Sequence, residues 1–226
     1  MKFSATWMIA LRALRRNPMR SGLTMLGIII GVAAVIAMVA IGTGAKEQVA
    51  SSIAQIGQNT VLVMSGAGSR GGVRGGWGSS PTLTRQDYEA LRKEIPGVIR
   101  ATPDVRKNAQ VMAGNQNVNT TINGAGEDYV DIRAWEFLEG GNFTAADVRG
   151  ATKVAILGQT VATNLFGDAS PVGQVVRIQN APYVVVGLLK PKGMSMMGSD
   201  KDDVVLVPWS SALVRLTGTD SFRAIT

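Results

Sequence analysis

Two short runs near the end of the 226-residue chain concentrate the side chains best suited to chemistry. Met194, Met196 and Met197 stand in GMSMMG, and thioether sulfur is a soft ligand that suits Cu(I). Asp200, Asp202 and Asp203 follow in DKDD, and carboxylate oxygens suit calcium. Neither run is complete as a metal site. The chain has no cysteine and no histidine, so the methionines lack a neighbouring imidazole or thiolate, and a flexible apolar loop is their expected role. The aspartates lack the DxDxDG spacing with its distal glutamate, which leaves a solvated turn.

The same two absences remove disulfides, thiol nucleophiles, the usual zinc ligands and imidazole general bases. A membrane-anchored hydrolase would need a Ser–Lys pair or a carboxylate pair in a cleft, and no motif supplies one. Glycine is seven of the fifteen residues from 66 to 80, yet GxxxxGK[ST] occurs nowhere, so a mobile loop is expected there instead of a phosphate cradle. No catalytic, cofactor or metal residue is assigned.

The elements that carry these residues divide by charge. Residues 1–46 hold six basic side chains and no acidic one, and the remaining 180 hold 17 basic and 16 acidic groups. The net charge of +7 is therefore concentrated at the N-terminus, which argues against nucleic acid as a partner. From Ser21 to Ala45 no charge occurs. As a helix this stretch would extend about 38 Å at roughly 1.5 Å per residue, enough to cross a bilayer core of about 30 Å. A cleaved signal peptide usually has a shorter apolar region, so a retained transmembrane helix over 21–45 is expected. Basic residues precede the span, which predicts a cytoplasmic N-terminus and an exported C-terminal part, periplasmic in a Gram-negative cell.

Before the span, Phe3, Trp7, Leu11 and Leu14 fall on one helical face, with Arg12, Arg15 and Arg16 on the other. That pattern predicts an amphipathic helix lying at the lipid interface on the cytoplasmic side, with Trp7, Arg12, Arg15, Arg16 and Arg20 setting anchor and topology. Asn17-Pro18 should break it, so residues 1–20 read as an interfacial helix and elbow. Gly27 and Gly31 form a GxxxG that would let another membrane helix approach closely. Val49, Ile53 and Ile56 keep helical spacing, so 46–57 is expected to continue outward as a stalk.

Residues 58–226 read as a mixed α+β domain. Thr84 and Asp87 resemble a capping box at the start of a helix that Pro96-Gly97 ends. Strands are expected at 60–64, 98–105, 109–112, 117–122, 153–157 and 204–207, with a hairpin at 174–179 and 183–189. Short helices are expected at 159–166 and from Pro208 to Leu216.

Several segments in this order resemble the permeases of the MacB type in the ABC transporter superfamily (FtsX/MacB family), whose soluble part is the MacB-like periplasmic core domain. They are LTMLGIIIGVAAVIAMVAIGTGA (23–45), QIGQNTVLV (55–63), LTRQDYEAL (83–91), VDIRAWEFLEGGNFT (130–144), VAILGQTVATNLFGDASPVGQVVRI (154–178) and DKDDVVLVP (200–208). The resemblance implies an inner-membrane, four-helix permease with a periplasmic domain inserted between its first two helices. It implies a permease homodimer or heterodimer, a separate ABC ATPase chain that holds ATP and magnesium, and an adaptor with an outer-membrane duct. The cargo would be a macrolide, peptide, siderophore or lipoprotein, and no substrate-contacting residue transfers. Because no further membrane helix precedes Thr226, the expectation is the N-terminal portion of such a permease, as a fragment or truncated frame. The competing expectation is a single-span anchored binding or scaffold module without transport activity.

Overall fold

The computed structural model describes residues 8, 14–54, 60–66, 69–70, 73–74, 82–195 and 198–226. They form two compact units, 1–52 and 53–226.

The first unit is dominated by one helix, α1 (Pro18–Ala54). Residues 14–16 are helical, Asn17 is a bend, and Pro18 opens α1, the position where its missing N–H costs nothing. Thr24 and Thr43 fold their hydroxyls back onto carbonyls three and four residues earlier, which satisfies polar atoms inside an apolar stretch. The most apolar 18-residue window of α1 has a mean hydropathy of 2.7 and holds no buried residue. Ile28, Ile36 and Met38 are among the exposed side chains of α1, and each such side chain kept in water forgoes about 1.5–3 kcal/mol. Lipid is the environment that removes this cost, and α1 is a transmembrane helix.

The second unit has the mixed α+β architecture expected from the sequence. In chain order its elements are β1 (Val63–Met64), β2 (Ser69–Arg70), β3 (Val73–Arg74), β4 (Leu83–Thr84), α2 (Arg85–Glu94), β5 (Pro103–Ala113) and β6 (Gln116–Ala125). Then come α3 (Tyr129–Ile132), β7 (Phe137–Gly140), α4 (Ala145–Gly150), β8 (Val154–Leu157), α5 (Gln159–Phe166), β9 (Val175–Ile178) and β10 (Ala181–Leu189). β11 (Val204–Pro208), α6 (Trp209–Ala212), a π-helical turn (Leu213–Thr217), β12 (Ser221–Phe222) and β13 (Ala224–Ile225) complete it.

The strands close on themselves. β5 pairs with β6, β6 with β11, β11 with β8, β8 with β10, β10 with β9, and β9 returns to β5. This ring of six strands mixes parallel pairs, β6–β11 and β8–β10, with antiparallel ones. Closure removes the free edges that an open sheet would expose. Val111, Ile156, Val176, Ile178, Tyr183 and Leu206 have no exposed surface and form its core, while α5 and α6 pack against β6. Tyr88, Trp209 and Phe222 meet edge to face within the same core, with centroids 5.3–6.4 Å apart.

Several sequence expectations need correction. The three strands expected at 98–105, 109–112 and 117–122 are one long hairpin, β5–β6, turned at Gly114 and Asn115. Polar Arg106, Asn108 and Gln110 hid its length, because alternate positions of β5 face outward while Val105, Ala109 and Val111 are buried. Residues 98–102 are not strand, since pairing with β13 starts at Pro103. The helix from Pro208 switches to π-helical spacing at Leu213, where Gly218 in the left-handed region ends it. Only Val63 and Met64 of the 60–64 strand are paired.

Both α2 and α4 begin with a capping box. Thr144 Oγ accepts from the Asp147 N–H at 3.3 Å, and the Asp147 carboxylate accepts from the Thr144 N–H and hydroxyl at 2.8 and 2.7 Å. The hydroxyl first, then the N–H, hold the Asp147 carboxyl below its ordinary pKa. Its contribution is therefore fully present above the ordinary carboxylate value and is lost as pH falls through the lowered one. Thr144→Ala should cost about 1 kcal/mol in denaturant unfolding; an unchanged midpoint would show that the box contributes nothing.

Candidate functional site

Three arrangements could bear function. The first lies on α1. Gly27 and Gly31 are exposed on the helix, and a methyl group at either would meet nothing within 4 Å. Among the described residues nothing requires glycine there. Arg15, Arg16 and Arg20 are exposed, while Trp7 and Arg12 lie outside the described residues. Gly27→Leu with Gly31→Leu should thus leave the chain folded and lower recovery of helix-paired assemblies from membranes by at least tenfold. Undiminished recovery would dismiss the pair as a packing site.

The second is the loop between β10 and β11. Asp202 is 5% exposed, and its two oxygens accept from the backbone N–H groups of Lys192 and Gly193, each at 2.8 Å. Asp200 accepts from the Asp202 N–H at 2.8 Å and from the Thr160 hydroxyl at 2.6 Å. Met194 bridges to Asp200 and is exposed; Met196 and Met197 lie outside the described residues. These aspartates clamp the base of a loop instead of forming a solvated turn. Asp203 is apart from the clamp, and its buried Oδ1 has no hydrogen-bond partner among the described residues. Among the described residues no cluster of carboxylates is arranged to hold a metal.

The loop is also tied to the turn before β7. Lys192 Nζ sits 4.9 Å from the Trp135 ring centroid and donates to the Arg133 carbonyl at 2.6 Å. Burial, with Lys201 and Arg133 nearby, pushes the Lys192 pKa down. Gly158, which caps α5, completes the clamp: a methyl group there would lie 2.2 Å from the Asp202 carbonyl oxygen, so only glycine allows this approach.

The third is a groove of about 870 Å³ walled by Thr60, Val61, Val63 and residues 97–101. Val61, Val63, Leu91, Ile95, Val98 and Ile99 make it apolar. Arg100 and Asp131 pair at its rim at 3.2 Å. Beside it, Arg92 reaches Glu127 at 3.5 Å and Asp128 at 3.9 Å. Burial, then the Glu127 charge, raises the Asp128 pKa despite Arg92 and Arg100. The sequence reading found neither the groove nor this ion network, because each gathers residues from distant segments.

The sequence model of the MacB-like periplasmic core domain matches residues 21–226. The macrolide export ATP-binding/permease protein MacB of Syntrophobacter fumaroxidans is 46% identical over 219 residues, covering 96% of this chain and 31% of that protein. Its counterpart in Azoarcus is 41% identical over 217 residues, covering 96% and 32%. The chain thus spans about a third of the length of these relatives. Among solved structures, the periplasmic region of MacB from Actinobacillus actinomycetemcomitans superposes with a TM-score of 0.63 at 24% identity, over 76% of this chain and 75% of that one. The extracellular domain of the transporter YknZ from Gram-positive bacteria gives 0.58 at 21% identity, over 73% and 79%. These two likenesses show a shared fold, and the match across residues 21–226 places the chain in the MacB-like periplasmic core domain family.

Proposed function

We propose that this chain serves as the first-helix and periplasmic portion of a MacB-type ABC export permease. The observation that carries the reading is the continuity of α1. One helix runs from Pro18 through the apolar span and on past Lys46 and Glu47 to Ala54. A continuous helix is stiff over this distance, so a displacement at its cytoplasmic end is delivered at its outer end without loss in a hinge. ATP and magnesium would be held on an ATPase part such as the relatives' names include. Hydrolysis there would move α1 and, through the 46–57 stretch, reshape the periplasmic domain. The names of the relatives suggest a macrolide as cargo. A permease dimer, a periplasmic adaptor and an outer-membrane duct complete the proposed assembly.

Orientation can be tested with a single thiol, because the chain has no cysteine. Asn115 lies exposed at the β5–β6 turn, and Asn115→Cys should react with a membrane-impermeant maleimide from the periplasmic side. Replacing Arg12, Arg15, Arg16 and Arg20 together by glutamate should cut that labelling by more than half. Equal labelling of both proteins would contradict the role given to these arginines, and no labelling of Asn115→Cys alone would overturn the topology.

A further inference from the structure

The turn between α3 and β7 holds two side-chain donors that the fold buries and leaves unused. Arg133 Nε and Trp135 Nε1 are both shielded from solvent and have no hydrogen-bond partner among the described residues. A buried donor without an acceptor is costly, the more so on a charged group. The residue between them is strained as well. Ala134 sits in the left-handed region at φ 47°, which a residue with a Cβ disfavours. The close of α3 holds it there: the Ala134 N–H donates to the Asp131 carbonyl at 2.9 Å and the Trp135 N–H to the Val130 carbonyl at 2.8 Å. Strain of this kind persists where the surroundings over-determine it, as they do at ligand sites.

Two cations flank the same turn. The Arg133 guanidinium lies 5.8 Å from the Tyr129 ring centroid and Lys192 Nζ 4.9 Å from that of Trp135, and the two rings are 6.4 Å apart. Tyr129 is buried and its hydroxyl accepts from Asn123 Nδ2 at 2.9 Å, so the cluster is anchored in the core. Among the described residues no carboxylate lies within ion-pair distance of Arg133 or Lys192. The acids nearby have other partners. Asp202 accepts from the backbone of Lys192 and Gly193, Glu136 from Lys190 at 2.8 Å, and Asp131 pairs with Arg100 at 3.2 Å. Burial, then the charges of Lys201 and Arg133, push the Lys192 pKa down. Positive charge thus accumulates beside donors that have nothing to bind.

We propose that Arg133, Trp135 and Lys192 form a binding site for an oxyanion, the carboxylate or phosphate group of a small molecule. The guanidinium offers its Nε–Nη edge, a fork that matches two oxygens of either group. The indole N–H adds one directed donor, and the ammonium adds a second compensating charge. Lys192 keeps its bond to the Arg133 carbonyl throughout, because an ammonium has three donors. The Asp202 clamp fixes the Lys192 backbone and so sets where that side chain starts. A water molecule would satisfy one donor and leave both positive charges unbalanced, whereas an oxyanion answers both needs. The site does not rest on the export reading, and it stands whether or not the chain belongs to a working exporter.

Nitrogen–proton NMR of the full chain in maltoside micelles tests this, because each of the four tryptophans gives its own indole signal. Sodium phosphate, and in a second series sodium acetate, replaces sodium chloride at constant ionic strength and neutral pH. The Trp135 indole and Arg133 Nε–H signals should move along one saturating curve in at least one series, while the indole of Trp209, also buried, stays in place. Saturation in one series assigns the group, and saturation in both supports the shared oxyanion chemistry. Saturation in neither overturns the proposal, and so does parallel movement of Trp209. Arg133→Gln should raise the half-saturating concentration roughly tenfold or more, and Lys192→Gln roughly threefold or more. Trp135→Phe keeps a ring beneath Lys192 and loses the donor; followed through Arg133 Nε–H, it covers the case in which Arg133→Gln fails to fold, and it should also weaken binding. A half-saturating concentration unchanged in both Lys192→Gln and Trp135→Phe would contradict the site.

Discussion

Tyr183→Ala is expected to lower the unfolding free energy of the periplasmic unit by about 3–5 kcal/mol, the range for truncating a large buried aromatic. For a unit of this size that corresponds to a fall in Tm of roughly 6–20 °C. Tyr183 has no exposed surface, lies on β10, the strand that pairs with β7, β8 and β9, and meets the Ser211 hydroxyl at 3.1 Å. Truncation therefore leaves a cavity in the ring core and removes the hydrogen bond to α6 together. Tyr183→Phe separates the two effects, since it keeps the volume and loses only the hydroxyl contact, worth about 1 kcal/mol. Calorimetry of the three proteins should rank them in that order. A Tyr183→Ala protein that melts with the parent would contradict the closed-ring description of the core.

Asp202→Ala should cost about 2–4 kcal/mol, because it leaves two partly buried backbone donors, on Lys192 and Gly193, without their shared acceptor. Asp202→Asn retains one carbonyl acceptor and should recover roughly half of the loss. Hydrogen exchange gives the local readout: the Lys192 and Gly193 amides should lose protection in the alanine protein and keep one of the two in the asparagine protein. Unchanged exchange at both amides would mean that the clamp is not what holds the loop. The effect reaches beyond the loop, because Lys192 also covers Trp135 and bonds the Arg133 carbonyl.

What could be read from the sequence was local. The Thr84–Asp87 box works within one helical turn, and α5 ends at Gly167 as its sequence indicates. The β9–β10 hairpin closes over a few residues. Each rests on neighbours in the chain, where residue type and spacing carry the information. Thr144 and Asp147 carry the same signature as Thr84 and Asp87 and could have been found by it, although α4 is too short to show apolar periodicity.

The ring closure was not legible, because β5–β9 and β6–β11 join segments far apart in sequence. The polar outward face of β5 resembles a loop until its partner is known. The same holds for the groove, whose walls are brought together by β13 between β1 and β5. At DKDD the residue types were noticed but their use was not. A carboxylate that clamps backbone amides ten residues away in the chain leaves no spacing rule to search for.

The central claim, that ATP hydrolysis in the cytoplasm reshapes this periplasmic unit through α1, is tested most directly by distance measurement across the assembled transporter. A nitroxide attached at Asn115→Cys in each permease copy, reconstituted with the ATPase in lipid, reports the separation of the two periplasmic units by pulsed electron resonance. A distribution that shifts on ATP binding and returns after hydrolysis is the predicted result. A distribution identical with and without nucleotide, while ATP is being hydrolysed, would contradict the coupling and leave an anchored binding module.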